Sequence, residues 1–255
     1  MKRLLFIGDV VGESGCDFLS KKLSRIKKDN NIDITIVNGE NSAKGNGITP
    51  FSADCIFKAG ADIITTGNHA FHKKESSSVF ENEFIIRPVN YPDGCFGKGV
   101  CVADMGAWSV AVVNLMGTAF MEPLDNPFSR IDEVLAEIDI PNIIVDFHAE
   151  ATSEKKAMGY YLDGKVTAVL GTHTHVQTAD ECVLEGGTAY ITDVGMTGPE
   201  KSCLGVDIKP VTDKLRFHMP VRFTEAGGIC FLCGVIVEFD EKCGKTHKIE
   251  RLIIR

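Results

Sequence analysis

The sequence predicts an α/β fold. Two observations carry that expectation: short β-rich apolar runs alternate with amphipathic segments along most of the 255 residues, and the runs are bounded by Gly, Asn, Asp and Pro. The first run, Leu4–Ile7, ends in Gly8-Asp9. Ser14–Lys28 follows with Leu19, Leu23 and Ile26 at i, i+4, i+7 and basic residues on the opposite face, a crossover helix leading into Ile34–Val37. Asp54–Ala59 is helical on the same ground and precedes Ile63–Thr65. Further strands are expected at Phe84–Ile86, Val110–Leu115, Ile143–Phe147, Val166–Leu170 and Tyr190–Thr192, with a helix over Arg130–Ile138 that Ser129 would cap. Beyond Val211 the pattern changes. Arg222–Thr224, Ile229–Phe239 and Lys248–Ile254 read as strands with little helix, so a second, mainly antiparallel sheet packed onto the first is expected there. No linker, low-complexity tract or repeat divides the chain, and residues 1–255 are expected to form one domain.

Composition bounds the function classes. At 27.7 kDa and 44% hydrophobic the chain can bury a full core, which excludes a disulfide-stapled miniprotein, a disordered tail and a coiled coil. Nine cysteines, an odd count scattered from Cys16 to Cys243, suit reduced thiols better than a disulfide framework. The start lacks the apolar length of a signal peptide, and no run approaches the ~20 residues of a membrane span. A cytoplasmic protein without a membrane partner is the expectation. The net charge of −8, with no block of Lys and Arg, argues against an extended nucleic-acid surface. An anionic substrate would need bound cations to reverse the local field.

The chemistry is written at the strand ends. Asp9 follows the first run, Glu40-Asn41 the second, Asn68-His69 the third; His148 closes Ile143–Phe147, His173-Thr174-His175 follow Val166–Leu170, and Asp193 follows Tyr190–Thr192. In open α/β sheets the ligand crevice lies outside the carboxyl ends of the strands, so these groups should meet. Carboxylate, imidazole and amide groups without a cysteine suit a hard or borderline divalent cation and argue against a structural zinc knuckle. His173 and His175, two apart, are expected to point to one side by strand alternation and to serve two neighbouring ions. Asp9 and Glu40 against two divalent cations leave about +2, because Asn41, Asn68, His148, His173 and His175 are neutral, and that charge suits a phosphate ester.

Asn-Gly-Glu-Asn 38–41, Gly-Asn-His 67–69, Phe-His-Ala-Glu-Ala-Thr-Ser-Glu-Lys 147–155, Gly-Thr-His-Thr-His-Val-Gln-Thr-Ala-Asp 171–180 and Thr-Asp-Val-Gly-Met-Thr-Gly-Pro 192–199 resemble the YmdB-type metallophosphoesterases, bacterial 2′,3′-cyclic-nucleotide 2′-phosphodiesterases of the calcineurin-like superfamily. Gly-Asn-His and His-x-His mark the wider superfamily, and the three long strings mark this branch. The resemblance runs from Lys2 to near the end and implies a metallophosphoesterase-like sandwich of two mixed β-sheets flanked by α-helices. It also implies that Asp9, Glu40, Asn41 and His175 hold one metal and Glu40, Asn68, His148 and His173 the other, with Glu40 bridging. The superfamily's usual Asp-x-His after the first strand is Asp9-Val10-Val11 here, so Asn41 would replace an imidazole, and Glu40 stands where an aspartate usually bridges; the YmdB-like branch shares both departures. Losing a histidine favours Mn²⁺, Fe²⁺ or Mg²⁺ over Zn²⁺.

On this reading the ions lie about 3.5–4 Å apart and hold a bridging hydroxide that attacks phosphorus in line. His69, next to ligand Asn68, is assigned as the general acid for the departing 2′ oxygen, giving a nucleoside 3′-phosphate, with His72 as its rival. His218 and His247 have no such company, Asp193 and Glu150 are expected to orient neighbours, and Lys44-Gly45-Asn46-Gly47 reads equally as a phosphate loop or a plain turn. Cys230 and Cys233, three apart in a strand, read as core packing. Three alternatives stand: a phosphodiesterase for another phosphoester, an amidohydrolase-like metal hydrolase, which would place His-x-His on its first strand, and a metal-dependent regulatory protein with little turnover. A homo-oligomer is what the resemblance implies for assembly.

Overall fold

In the computed structural model, which describes residues 1–255, the chain builds one sheet, crosses to a second and returns to finish the first. The first pass lays down β1 (Lys2–Ile7), β2 (Asp9–Val10), α1 (Gly12–Asp29), β3 (Ile34–Asn38), α2 (Pro50–Ala59), β4 (Ile63–Thr65) and the short α3 (Ser76–Val79). The second lays down β5 (Val100–Asp104), β6 (Ser109–Met116), α4 (Pro127–Glu137), β7 (Ile143–His148), α5 (Thr152–Tyr161), β8 (Ala168–Thr172), β9 (Cys182–Val183) and β10 (Ala189–Ile191). The return consists of β11 (Met196–Pro199), α6 (Ile208–Phe217), β12 (Cys230–Phe239) and β13 (Thr246–Ile254).

Both sheets are mixed. In the seven-stranded sheet β1, β3 and β4 run parallel, β12 pairs antiparallel with β1, and β13 covers the other edge of β12. Where β1 stops at Ile7, β11 takes over the same edge of β12, with Thr197 opposite Leu232, and β2 lies parallel beside it with Asp9 opposite Met196. The six-stranded sheet has a parallel centre, β6-β7-β8-β10, closed by antiparallel β5 and β9.

Strand alternation sorts the side chains into layers. Leu4, Phe6, Ile34 and Ile36 meet Val110, Val112, Ile144 and Leu170 between the sheets. Their neighbours Leu5, Ile7 and Val37 face outward onto Leu19, Leu23 and Ile26 of α1 and Ile56 of α2. On the far side Ala111, Val113 and Val145 pack on Ile131 and Val134 of α4 and Met158 of α5. The result is the sandwich of two sheets with helices on both outer faces that the sequence implied. No helix is long and apolar enough to cross a membrane.

Four local expectations need correction. The C-terminal strands do not begin a second sheet: β12 and β13 complete the first, because β1 needs a partner on its open edge and residue patterning does not say which sheet a strand joins. Phe84–Ile86 forms no strand; Asn82 turns the chain there, and only Ile85 and Ile86 make single bridges, to Ile64 and Lys98. The cap of α4 is Asn126, whose side chain accepts from the Phe128 and Ser129 amides, with Pro127 in the first turn, so Ser129 lies inside the helix. Arg222–Thr224 is irregular, and the segment before it holds α6, whose Ile208, Val211 and Leu215 repeat at i, i+3, i+7 and whose Lys209 pairs with Asp213 one turn on.

The junction from β1 to β2 tolerates no side chain at residue 8. A Cβ there would stand 1.9 Å from the Gly195 carbonyl oxygen, which itself accepts from the Asp9 amide at 3.1 Å. Backbone on both sides leaves nothing cheap to move, so Gly8→Ala should destabilise the fold by about 3 kcal/mol, read as a lowered urea midpoint with unchanged slope.

Candidate metal centre

Every candidate ligand, and the candidate acid His69, sits just beyond the carboxyl end of a parallel strand or in it: Asp9 after β1, Glu40 and Asn41 after β3, Asn68 and His69 after β4, His148 as the last residue of β7, His173 and His175 after β8. The fold brings all eight together. Carboxylate oxygens of Asp9 and Glu40 and an imidazole nitrogen of His175 lie within 4.8 Å of one another, and Asn41 Nδ2 is 3.2 Å from His175 Nε2. On the other side of Glu40, its Oε2, Asn68 Oδ1 and His173 Nδ1 surround His148 Nε2 at 3.3, 2.9 and 3.1 Å. His69 closes the group, with its amide 3.0 Å from Glu40 Oε2 and its Nδ1 3.0 Å from Glu40 Oε1.

The approach of β4 to β7 requires Gly67. A Cβ at that position would lie 2.3 Å from His148 Nε2, inside the space where the donor atoms converge.

His173 and His175 do not converge by strand alternation. They lie past the end of β8, and a turn with both residues at positive φ, +101° and +63°, brings them round. Such backbone is strained for a side chain of this size and must be held. The His173 amide donates to Asp9 Oδ2 at 3.2 Å and the Thr174 amide to Asp193 Oδ2 at 3.0 Å. Lys155, buried in α5, donates to that same Asp193 oxygen at 2.8 Å and to the Thr172 carbonyl at 2.6 Å, while Asp193 Oδ1 takes the Gly195 amide at 2.8 Å. Asp193 thus orients the turn, as its position suggested. Glu150 receives His173 Nε2 at 3.1 Å, and Lys73 donates to the carbonyls of Lys44 and Gly45, which makes that glycine-rich stretch a turn with its carbonyls, not its amides, engaged.

Several residues that support this centre carry no role that the sequence alone assigned. Asp146 and Thr172 form a buried relay to His148: Thr172 Oγ1 donates to Asp146 Oδ1 at 2.7 Å and lies 2.8 Å from His148 Nδ1. Asn38 accepts from the Glu40 amide at 3.1 Å and donates to Asp146 Oδ2 at 3.0 Å, and Asn114 accepts from the Thr66 amide. The available signal was a polar residue interrupting an apolar strand, as Asp146 and Asn114 do.

The charges explain what the centre accepts. Asp9, Glu40 and Asp146 are fully or almost fully buried. Burial pushes Asp9 up, with His175 and His148 opposing, and pushes Asp146 to about 6. Burial alone would also raise Glu40, but the charge of His148 and hydrogen bonds from His148 and His69 hold its carboxyl well below the usual range. His148 would be lowered by burial; Glu40, then Asp9 and Asp146, outweigh that and push it to about 9. Burial, then the neighbouring His148 charge, drives His173 down to about 3, so it stays a neutral imidazole. Asp9 Oδ1 and Asn41 Oδ1 are buried with no hydrogen-bond partner, which native structures rarely tolerate. Unpartnered oxygens, buried carboxylates and a neutral imidazole at His173, without a thiol, are the environment a divalent cation fits.

The Lys155–Asp193 pair offers a direct test of how the turn is held. Lys155→Met should cost about 3–5 kcal/mol in urea unfolding, because it leaves Asp193 buried and unpaired, and Lys155→Met with Asp193→Asn should recover part of that loss.

Comparison with known proteins agrees across the whole chain. The family model of YmdB-like proteins matches residues 5–252. A relative from Bacillus subtilis (strain 168), named 2′,3′-cyclic-nucleotide 2′-phosphodiesterase, is 47% identical over 255 residues, spanning 99% of this chain and 97% of that protein. Among solved structures, a hypothetical protein from Thermus thermophilus aligns with a TM-score of 0.94 at 40% identity over 98% of both chains. A novel phosphatase from Mycoplasma pneumoniae aligns with a TM-score of 0.95 at 34% identity, over 99% of this chain and 93% of that one. The chain belongs to the YmdB-like family.

Proposed function

We propose that this protein is a metal-dependent phosphodiesterase that hydrolyses 2′,3′-cyclic nucleotides to nucleoside 3′-phosphates. The observation that carries the reading is the position of Glu40 between two donor sets, supported by the name of the Bacillus subtilis relative. Asp9, Glu40, Asn41 and His175 would hold one divalent cation, and Glu40, Asn68, His148 and His173 a second. Four oxygen-bearing and three imidazole side chains favour Mn²⁺ or Fe²⁺, with Mg²⁺ or Zn²⁺ as less suited occupants. The chemistry supplied by the cations when bound is neutralisation of the phosphoryl oxygens and an acidified water for attack on phosphorus.

The chain's own residues do the rest. His69 presents Nδ1 to Glu40 Oε1, which leaves Nε2 for the departing 2′ oxygen, and its ring is about a quarter exposed, as a group in contact with substrate requires. His72, 5.4 Å from it edge to face, is exposed and has no contact with a ligand carboxylate, so His69 is the acid in this reading. Nine free thiols suit a reducing cytoplasm, residues 1–255 act as one domain, and a homo-oligomer is the assembly we adopt from the family.

Metal analysis combined with product identification on 2′,3′-cyclic AMP beside 3′,5′-cyclic AMP tests this reading. The expected result is metal bound to the protein, 3′-AMP from the first substrate and little turnover of the second; a protein that binds metal and hydrolyses neither would favour the regulatory alternative. His69→Ala should keep its metal and lose roughly 10²–10⁴ in kcat on substrates with an alkoxide leaving group. Glu40→Ala should lose metal and activity together, and full occupancy in that variant would refute the bridging role.

A further inference from the structure

The loop that follows β6 carries an aromatic side chain in an unusual situation. Phe120 is 92% exposed, its backbone is at φ +63°, and no aromatic ring of the chain stacks on it. A bulky residue adopts that conformation only under strain. Its neighbours are nevertheless fastened. Glu154 receives the Thr118 amide at 2.9 Å, the Thr118 hydroxyl at 3.4 Å and the Ala119 amide at 3.3 Å.

The same loop is tied to the segment of a candidate ligand and to that of the candidate acid. On one side the Gly117 amide donates to the carbonyl of His148 at 3.0 Å, and Phe120 lies three residues on, within about 11 Å of backbone. On the other side Tyr91 donates to Glu122 at 3.3 Å and packs edge-on, 5.3 Å between ring centres, against Phe71, two residues after His69. The exposed ring therefore sits between a tether to a candidate ligand and a tether to the segment of the candidate acid.

From this placement we infer that Phe120 is the stacking platform for the nucleobase of the substrate, so that the site recognises a nucleoside phosphodiester rather than a bare phosphodiester. The inference rests on the function proposed above and deepens it. A planar base has a π-face that an exposed ring can cover whatever its hydrogen-bonding edge, so the platform would select for the presence of a base more than for its identity. The strained, clamped backbone keeps the ring from collapsing onto the protein before substrate arrives, which lowers the cost of ordering it on binding.

Calorimetric titration of the Mn²⁺-loaded protein separates this role from a structural one. For Phe120→Ala the affinity for adenosine 3′-phosphate should fall about tenfold while that for inorganic phosphate changes by less than about twofold, and Phe120→Trp should restore the preference for the nucleotide. An equal fall for both ligands would mean that the loop merely supports His148, and no change for either would mean that the ring serves another contact such as a protein partner; both results overturn the inference. Turnover of 2′,3′-cyclic AMP by the unsubstituted protein is measured alongside. If base-dependent binding through Phe120 is found without that turnover, the catalytic reading fails and the platform stands.

Discussion

Two carboxylates buried at the strand ends, Asp9 and Glu40, are the constraint on which the rest of the structure depends. A carboxylate removed from water must be met by positive charge or by donors, and the fold supplies too few of either. Glu40 has the Asn41 amide, the His69 amide and ring, and His148, while Asp9 has the His173 amide and leaves one oxygen unmatched. The proton that Glu40 and its neighbours draw onto His148 is the positive charge the chain itself can offer there. A divalent cation does the same work with more charge and more directions of coordination, and this is why the centre reads as a metal centre even from the protein atoms alone.

The second consequence is mechanical. Gathering donors from five strands needs backbone that would not adopt these conformations unaided, above all at His173 and His175. The strain is offset by the Lys155–Asp193 pair beneath the turn, which sits on two different elements and ties α5 to the segment after β10. A buried ion pair is poor evidence for added stability, yet it fixes one arrangement over others, and here that arrangement is the one in which the His175 imidazole faces Asp9 and Glu40 and the His173 imidazole faces His148.

The sequence made the candidate ligands legible because each follows an apolar run that stops abruptly, and chain ends of parallel strands gather at one edge whatever their order. Asp9, Glu40, Asn68, His148, His173 and His175 all satisfy that rule. What supports them was not legible for a physical reason. Asp146 and Asn114 lie inside strands, Thr172 is an ordinary strand residue, and Lys155 looks like any helix lysine; each acts through a partner 17 to 48 positions away along the chain. The fold class was readable from alternation, but the sheet to which β12 belongs was not, since pairing partners are chosen by open edges and not by composition. α6 was overlooked because its β-branched and basic residues weaken the helical pattern, and none of its side chains is buried to give that pattern away.

The hydrogen bonds of the histidines separate the proposed ligands from the proposed acid. Each of the three imidazoles in the donor sets has one nitrogen tethered outward: His148 Nδ1 to the Thr172 hydroxyl backed by Asp146, His173 Nε2 to Glu150, and His175 Nδ1 to the carbonyl of Leu204 at 3.2 Å. An outward hydrogen bond fixes the tautomer and, in His148 once a cation takes the place of its proton, leaves the other nitrogen's lone pair aimed at the centre, which is what a metal ligand needs. His69 is arranged the opposite way. Its tethered nitrogen faces inward, to Glu40, and its other nitrogen has no partner in the fold. A ring held in that sense cannot direct a lone pair into the donor cluster without giving up its bond to Glu40, but it can carry a proton toward a substrate oxygen outside it. The proposed ligands and the proposed acid thus differ in the direction of one hydrogen bond, a property that residue type and spacing alone do not contain.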